Sequence, residues 1–496
     1  MNDLLKKYKE KMFEISAMQL AVGTIYLDQD TIAPVKGDAY RNERLAYLSG
    51  ELYSLTTSDE FYNLLKQLVE SDDVDEQTKR IINWQIIDLD KQRCVPKEFY
   101  VEMTKNQMES GQAWQKAKQN DDYASFEPYL LKTIEYSKQL LKYREGKLKG
   151  YDIFLDDYEP GMTIEKYDAF FEQLKEGIVP LIKKINETQQ IDDSFVYKHY
   201  PREKQEILMK KILEYIGFDF EAGVLLESEH PFTDSLSKYD NRITTHYYED
   251  NLISSIFSVI HEAGHANYNY SVREDIAETF CFNNMSSGMH ESQSRLFENY
   301  LGRNPHFWDK LFKDIKELFP EQLEGIDQEK YVKAINKAIP SLVRTEADEL
   351  TYPLHIVIRY EIEKGIFDGS IDPKNLREVW NQKYKEYLQI DVPNDKEGIL
   401  QDMHWGSGSF GYFPTYALGS GYAAQFVHAM SKDIDIDEAL ANDQFSKLKD
   451  WLREHIHQYG GLYSPLEQIK IATGEDFDPQ YYVDYLVNKY TKLYNL

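Results

Sequence analysis

Apolar residues recur at three- and four-residue spacing along most of this chain, with Lys, Glu, Gln and Asp between them. That period lines the apolar side chains along one face of a 3.6-residue helix. It predicts amphipathic helices over residues 2–27, 38–56, 74–93, 96–119, 123–148, 163–187 and 202–216. Gly217 and Gly223 then break the pattern. The stretch "RITTHYYE" at 242–249 is rich in β-branched and aromatic residues and reads as strand. Helical periodicity resumes at 252 and dominates to the end. No repeat, low-complexity tract or Pro/Gly/Ser linker divides the chain. The pattern predicts a mostly α single domain over 1–496, with a small β-sheet near residues 219–248.

Composition narrows the partners. The 496 residues are 29% charged and 42% apolar, an ordinary soluble globular balance. The formal net charge of -28 argues against nucleic acid or an anionic membrane as the main partner, since both need clustered Lys and Arg. Two cysteines, Cys94 and Cys281, cannot make a disulfide framework, which points to a reducing cytoplasm. The first 20 residues, "MNDLLKKYKEKMFEISAMQL", stay charged throughout and lack the apolar core of a signal peptide. No 18-residue apolar stretch exists, so no membrane-spanning helix is expected.

One segment departs from the charge pattern. Met403 to Ser431 holds no Asp, Glu, Lys or Arg over 29 residues. At 29% charge, such a run starts at a given position by chance roughly once in 20,000. A buried helix is one explanation. The glycines and tyrosines of "GSGSFGYFPTYALGSGY" suggest a second, the wall of an active site, where backbone comes close and hydroxyls need partners.

The candidate chemistry lies in "SVIHEAGHANY", residues 258–268. His261 and His265 stand at i and i+4, on one helix face, with Cβ atoms about 5–6 Å apart. Each can give a ring nitrogen to one zinc at about 2.0–2.1 Å. Glu262 points beside the metal, where it can act on a water as general base. Chance places two satisfied histidines on a surface helix too, so the motif needs a third ligand. "SSGMHESQSRLFENYLG" at 286–302 reads as a second helix, and either His290 or Glu291 can supply that ligand. The two point about 100° apart, so only one of them does so.

These residues belong to a longer set of segments: "HPFT" (230–233), "DNRITT" (240–245), "HEAGH" (261–265), "HESQSR" (290–295), "VRTEAD" (343–348), "GILQDMHW" (398–405) and "GSFGYFPTYALG" (408–419). In this order and spacing the sequence resembles the carboxypeptidase Taq family of zinc metallocarboxypeptidases over essentially its whole length. The stretch at 26–52 also looks like that family's N-terminal region, with Leu27 where many members carry tryptophan. The resemblance implies metal ligation by His261, His265 and Glu291 rather than His290, with Glu262 catalytic. It implies a gluzincin-type helical fold similar to neurolysin and angiotensin-converting enzyme, two helical halves flanking a long central groove. It further implies a homodimer that removes C-terminal residues one at a time with broad preference and poor action on proline.

Roles follow for the remaining polar residues. Developing oxyanion charge needs donors beyond the metal, and His230, Tyr412 and Tyr416 are the candidates. A peptide's free C-terminal carboxylate calls for a planar, always-charged arginine. Arg344 is the first candidate, on a helix where Asp348 at i+4 would orient it. Arg242 is the second, on a sheet edge where a substrate strand could pair. Asp402 and His404 are further substrate or supporting contacts. Zinc is the expected cofactor, with cobalt or manganese as alternatives. Two other functions compete: an oligoendopeptidase of the same fold, without a carboxylate clamp, and a non-catalytic helical binding protein with a degenerate metal site. Glu262 speaks against the last, because a structural site has no use for a base beside the metal.

Overall fold

A computed structural model describes residues 3–496; Asn2, the first position of the helix predicted over 2–27, lies outside them. Helices dominate, and several meet their predicted limits. Asp38–Thr56 and Arg202–Ile216 match, while Glu76–Arg93, Lys97–Asn120 and Ile164–Asn186 differ by a residue or two. The helix predicted to reach 148 stops at Arg144, because Glu145 turns to extended backbone (ψ 129°). Two helices lie outside the predicted set, Asp59–Glu70 and Tyr151–Tyr158. The first is signalled by its cap: the Ser58 hydroxyl accepts from the Phe61 N–H at 3.2 Å.

The chain forms two compact units. One comprises the chain up to Cys94, His199–Met285 and Asp443–Tyr463. Its N-terminal helices close on a core of Tyr8, Ile15, Phe61, Leu65, Leu68, Ile82 and Ile86. It also holds the only sheet among the described residues, of strands β1 (Gly223–Glu227), β2 (Thr233–Ser237) and β3 (Asp240–Thr245) in the order β1-β3-β2. β1 runs parallel to β3 and β2 antiparallel. Only the first half of the predicted 242–249 strand pairs; the chain leaves the ladder after Thr245.

Side-chain hydrogen bonds tie this sheet to the Leu252–Tyr270 helix. Thr245 Oγ1 and Ser258 Oγ lie 2.6 Å apart, Thr233 Oγ1 donates to Glu262 Oε2 at 2.6 Å, and Asn269 Nδ2 donates to Ser235 Oγ at 2.7 Å. The helix meanwhile buries Ile256, Val259, Ile260 and Ala263. Apolar packing sets its position and the polar contacts set its rotation, so Glu262 reaches a fixed place.

The other unit comprises Val95–Lys198, Ser286–Asn442 and Ser464–Leu496. At its centre the Ser287–Arg295 helix lies against the Phe413–Met430 helix. Gly419 permits the approach: a Cβ there would stand 2.7 Å from the Cβ and Cγ of Glu291. The charge-free segment divides in two. Residues 413–430 form a largely buried helix, and 403–411 form a loop with Gly408 and Gly411 at positive φ. No helix among the described residues is long and apolar enough to cross a membrane.

Candidate active site

His261 and His265 face each other from successive turns, their rings 5.0 Å apart and nearly perpendicular. One ligand atom from each, and one from the buried Glu291 carboxylate, all lie within 4.8 Å of one another. Two imidazole nitrogens and a carboxylate oxygen at this spacing fit a single divalent ion with a position left open. Glu291 sits in the Ser287–Arg295 helix, where the Ser286 hydroxyl caps by accepting from the Met289 N–H at 3.2 Å. A π-helical stretch, Leu296–Leu301, follows directly. Arg295 Nε donates to Glu291 Oε1 at 2.7 Å and Ser294 Oγ to Oε2 at 3.2 Å. Glu291 is therefore held as an oriented carboxylate.

Glu262 is buried and its Oε2 accepts from Thr233. Thr233 closes "HPFT", a segment already singled out, yet nothing in its local pattern marks the hydroxyl as Glu262's partner. His230, at the start of that segment, is exposed, and its carbonyl accepts from Ser228 Oγ at 2.7 Å.

Arg344 does not lie on an α-helix, and Asp348 does not orient it. The segment "VRTEAD" makes a single 3-10 turn, Arg344–Glu346. Asp348 instead accepts from the N–H groups of Leu350 and Thr351 at 2.9 and 3.0 Å, starting the next helix. The partner of Arg344 is Asp402, whose Oδ1 accepts from Nε at 3.1 Å and Nη2 at 2.9 Å. Nη1 donates to the Tyr352 hydroxyl at 3.3 Å, and the guanidinium lies 5.0 Å from the Tyr416 ring centre. Burial works against the charge on Arg344, but Asp402, together with Tyr352 and Tyr416, more than offsets it and holds the guanidinium charged. Asp402 is largely shielded from solvent, which works against its charge, yet Arg344 and Arg359 pull its carboxyl well below the usual range.

Arg242 does not lie on a sheet edge. β3 is the central strand, so no substrate strand can pair beside it, and its guanidinium turns back on Asp240 at 2.9 and 3.1 Å. Tyr412 and Tyr416 sit together at the head of the Phe413–Met430 helix, rings 5.1 Å apart. The Tyr416 hydroxyl lies 3.5 Å from His404 Nε2. Burial first, and then the two arginines, push His404 down to about 4, so its ring is neutral near pH 7. Arg359 is the residue that sequence reasoning missed here. A guanidinium inside the apolar run "YPLHIVIRYEIEKGIF" was the available signal.

A His-Glu-x-x-His helix with a third carboxylate donor, on a helical scaffold, is the donor set of a metallopeptidase. Residues 7–490 match the carboxypeptidase Taq (M32) metallopeptidase family, and the chain belongs to it. Carboxypeptidase 1 of Bacillus subtilis (strain 168) is 41% identical over 494 residues, covering 99% of each chain. Thermostable carboxypeptidase 1 of Thermus thermophilus is 34% identical over 484 residues, covering 94% of each. The crystal structure of M32 carboxypeptidase from Deinococcus radiodurans R1 superposes with a TM-score of 0.96 at 31% identity, over 100% of both chains.

Proposed function

We propose that this protein is a zinc carboxypeptidase that removes single residues from the free C-terminus of peptides with broad preference. The observation that carries the reading is the convergence of His261, His265 and Glu291, with Glu262 next in sequence to the first histidine. These three would hold the ion, which when bound supplies Lewis-acid polarisation of the scissile carbonyl and a more acidic water. Zinc suits two imidazoles and a carboxylate; cobalt or manganese fits the same donors.

The chain's own groups do the rest. Glu262, oriented by Thr233, takes a proton from the attacking water and returns it to the departing amine. Tyr412 and Tyr416, with His230, are the candidate donors to the oxyanion. Tyr416 is preferred, because its hydroxyl lies 3.5 Å from a neutral His404 and its ring packs under the Arg344 guanidinium. Arg344 receives the substrate's terminal carboxylate. Its buried guanidinium supports that role, as does the neighbourhood of Tyr352 and Tyr416. Arg242, on the central strand and paired with Asp240, stays the second candidate for that carboxylate. A homodimer in the cytoplasm is the accompanying expectation from family membership and cysteine usage.

The test is hydrolysis of an N-blocked dipeptide and of its C-terminally amidated form, each with and without chelator. Chelator-sensitive cleavage restricted to the free acid is expected. Equal cleavage of the amide within a longer peptide would make the protein an endopeptidase.

A further inference from the structure

Asp402 is shared. Its Oδ1 accepts from Arg344, while its Oδ2 accepts from Arg359 Nε at 2.8 Å and lies 2.6 Å from Nη2. Arg359 is fully buried and Arg344 is 8% exposed. Two guanidinium charges thus stand against one carboxylate in a desolvated place, and one positive charge is unmatched. Neighbouring groups do not cancel it. Arg359 Nη1 and Nη2 also donate to the His355 carbonyl at 2.8 Å and Gln401 Oε1 at 3.1 Å, both neutral acceptors. His355 is kept neutral by burial and by the two arginines. Lys118, which donates to the Gln401 carbonyl at 2.8 Å, adds positive charge. Glu291, which shares Tyr352 and Tyr416 with Arg344, is already paired with Arg295. A second carboxylate that acts on Arg359, Glu363, is buried under three donors: the Tyr151 hydroxyl, Trp405 Nε1 and the Gly411 N–H. Burial pushes Glu363 up to about 7, so it supplies only part of a counter-charge near neutrality.

We infer that Arg359 is a specificity-determining positioning residue: by engaging the second oxygen of Asp402, it keeps Arg344 charged in excess and so ready for a substrate carboxylate. Without Arg359, Asp402 would pair with Arg344 alone and neutralise it. A buried arginine matched one-to-one with its own aspartate has little left to offer a second carboxylate, whereas an arginine sharing its aspartate keeps an unmet charge. Asp402 also fixes the fork: with Nε and Nη2 occupied and Nη1 on Tyr352, the guanidinium cannot rotate. This inference rests on the reading of Arg344 as the carboxylate clamp.

The experiment compares kcat/KM for the free-acid and amidated N-blocked dipeptide in the metal-loaded wild type, Arg344→Gln, Arg359→Gln and Arg359→Lys. Circular dichroism and metal content report folding. Arg359→Gln should lower the acid-over-amide ratio by at least about tenfold, expressed as a higher KM for the acid. Arg359→Lys keeps the charge and should retain most of the ratio. A folded Arg359→Gln protein with the wild-type ratio overturns the inference, as does equal loss in the Gln and Lys variants. If Arg359→Gln does not fold, Arg359→Met, which removes the charge but keeps a long apolar side chain in the buried place, is read in the same way. A folded Met variant with the wild-type ratio overturns the inference. Arg344→Gln separates the two levels. If it leaves the preference intact, the clamp itself lies elsewhere. If it abolishes the preference while Arg359→Gln does not, only the role of Arg359 fails.

Discussion

The Thr233 hydroxyl sits 2.6 Å from Glu262 Oε2, joining the second strand of the sheet to the residue that follows His261. A hydroxyl donating to a charged carboxylate is worth about 1.5–3 kcal/mol. It also holds the carboxylate in one rotamer, where a proton-transfer group is most effective.

Thr233→Val keeps the shape and removes the donor. It should lower kcat/KM roughly 10- to 100-fold, since each 1.4 kcal/mol is tenfold. Metal content should not change, and Thr233→Ser should recover most of the loss. Steady-state kinetics on the free-acid dipeptide, with metal analysis alongside, checks this. A Val variant within twofold of wild type would make the contact structural only.

Ligation separates Glu291 from its neighbour. Glu291→Ala should lose metal on dialysis, whereas His290→Ala should keep it, because Glu291 and not His290 joins the two histidines in the donor cluster. Bound zinc measured after dialysis decides the matter. Equal retention in Glu291→Ala and wild type would remove Glu291 from the site.

Glu159 anchors the start of the Glu291 helix, its carboxylate accepting from the Gly288 N–H at 2.7 Å and the Ser286 hydroxyl at 3.1 Å. Burial pushes its carboxyl up to about 8, with those donors pulling the other way. Its folded pKa lies above its ordinary value, so the folded protein holds the proton more tightly than the unfolded chain. The stability from this group is full below about 4.5 and is lost as pH rises towards 8. Glu159→Gln does not titrate. Its stability relative to wild type should therefore improve between pH 5 and 8, by up to about 1.4 kcal/mol per pH unit. Urea midpoints across that window test the sign; a relative loss on raising the pH contradicts it.

Much of this was legible in the chain. Periodicity located helices such as Asp38–Thr56 because long amphipathic faces signal themselves locally. The two histidines were legible for the same reason, since i and i+4 share a face on any helix. Whatever depended on distant pairing was not. Arg344 and Asp402 are 58 residues apart, and the nearer Asp348 was the reasonable local partner until a 3-10 turn replaced the helix. Arg242 read as an edge residue because strand order is set by which strand joins β3, a choice its own sequence does not carry. Glu159 reaches Gly288 across 129 positions with no local signal.

The central claim is that Glu262 moves the proton while other residues hold the metal. Its most direct measurement is turnover and bound zinc together in Glu262→Gln, which keeps size and hydrogen bonding but cannot accept the proton. Zinc content should equal wild type while kcat falls by about 10²–10⁴, the usual worth of general acid–base catalysis. Zinc retained with a fall of less than about fivefold would assign the base to another residue and contradict the mechanism.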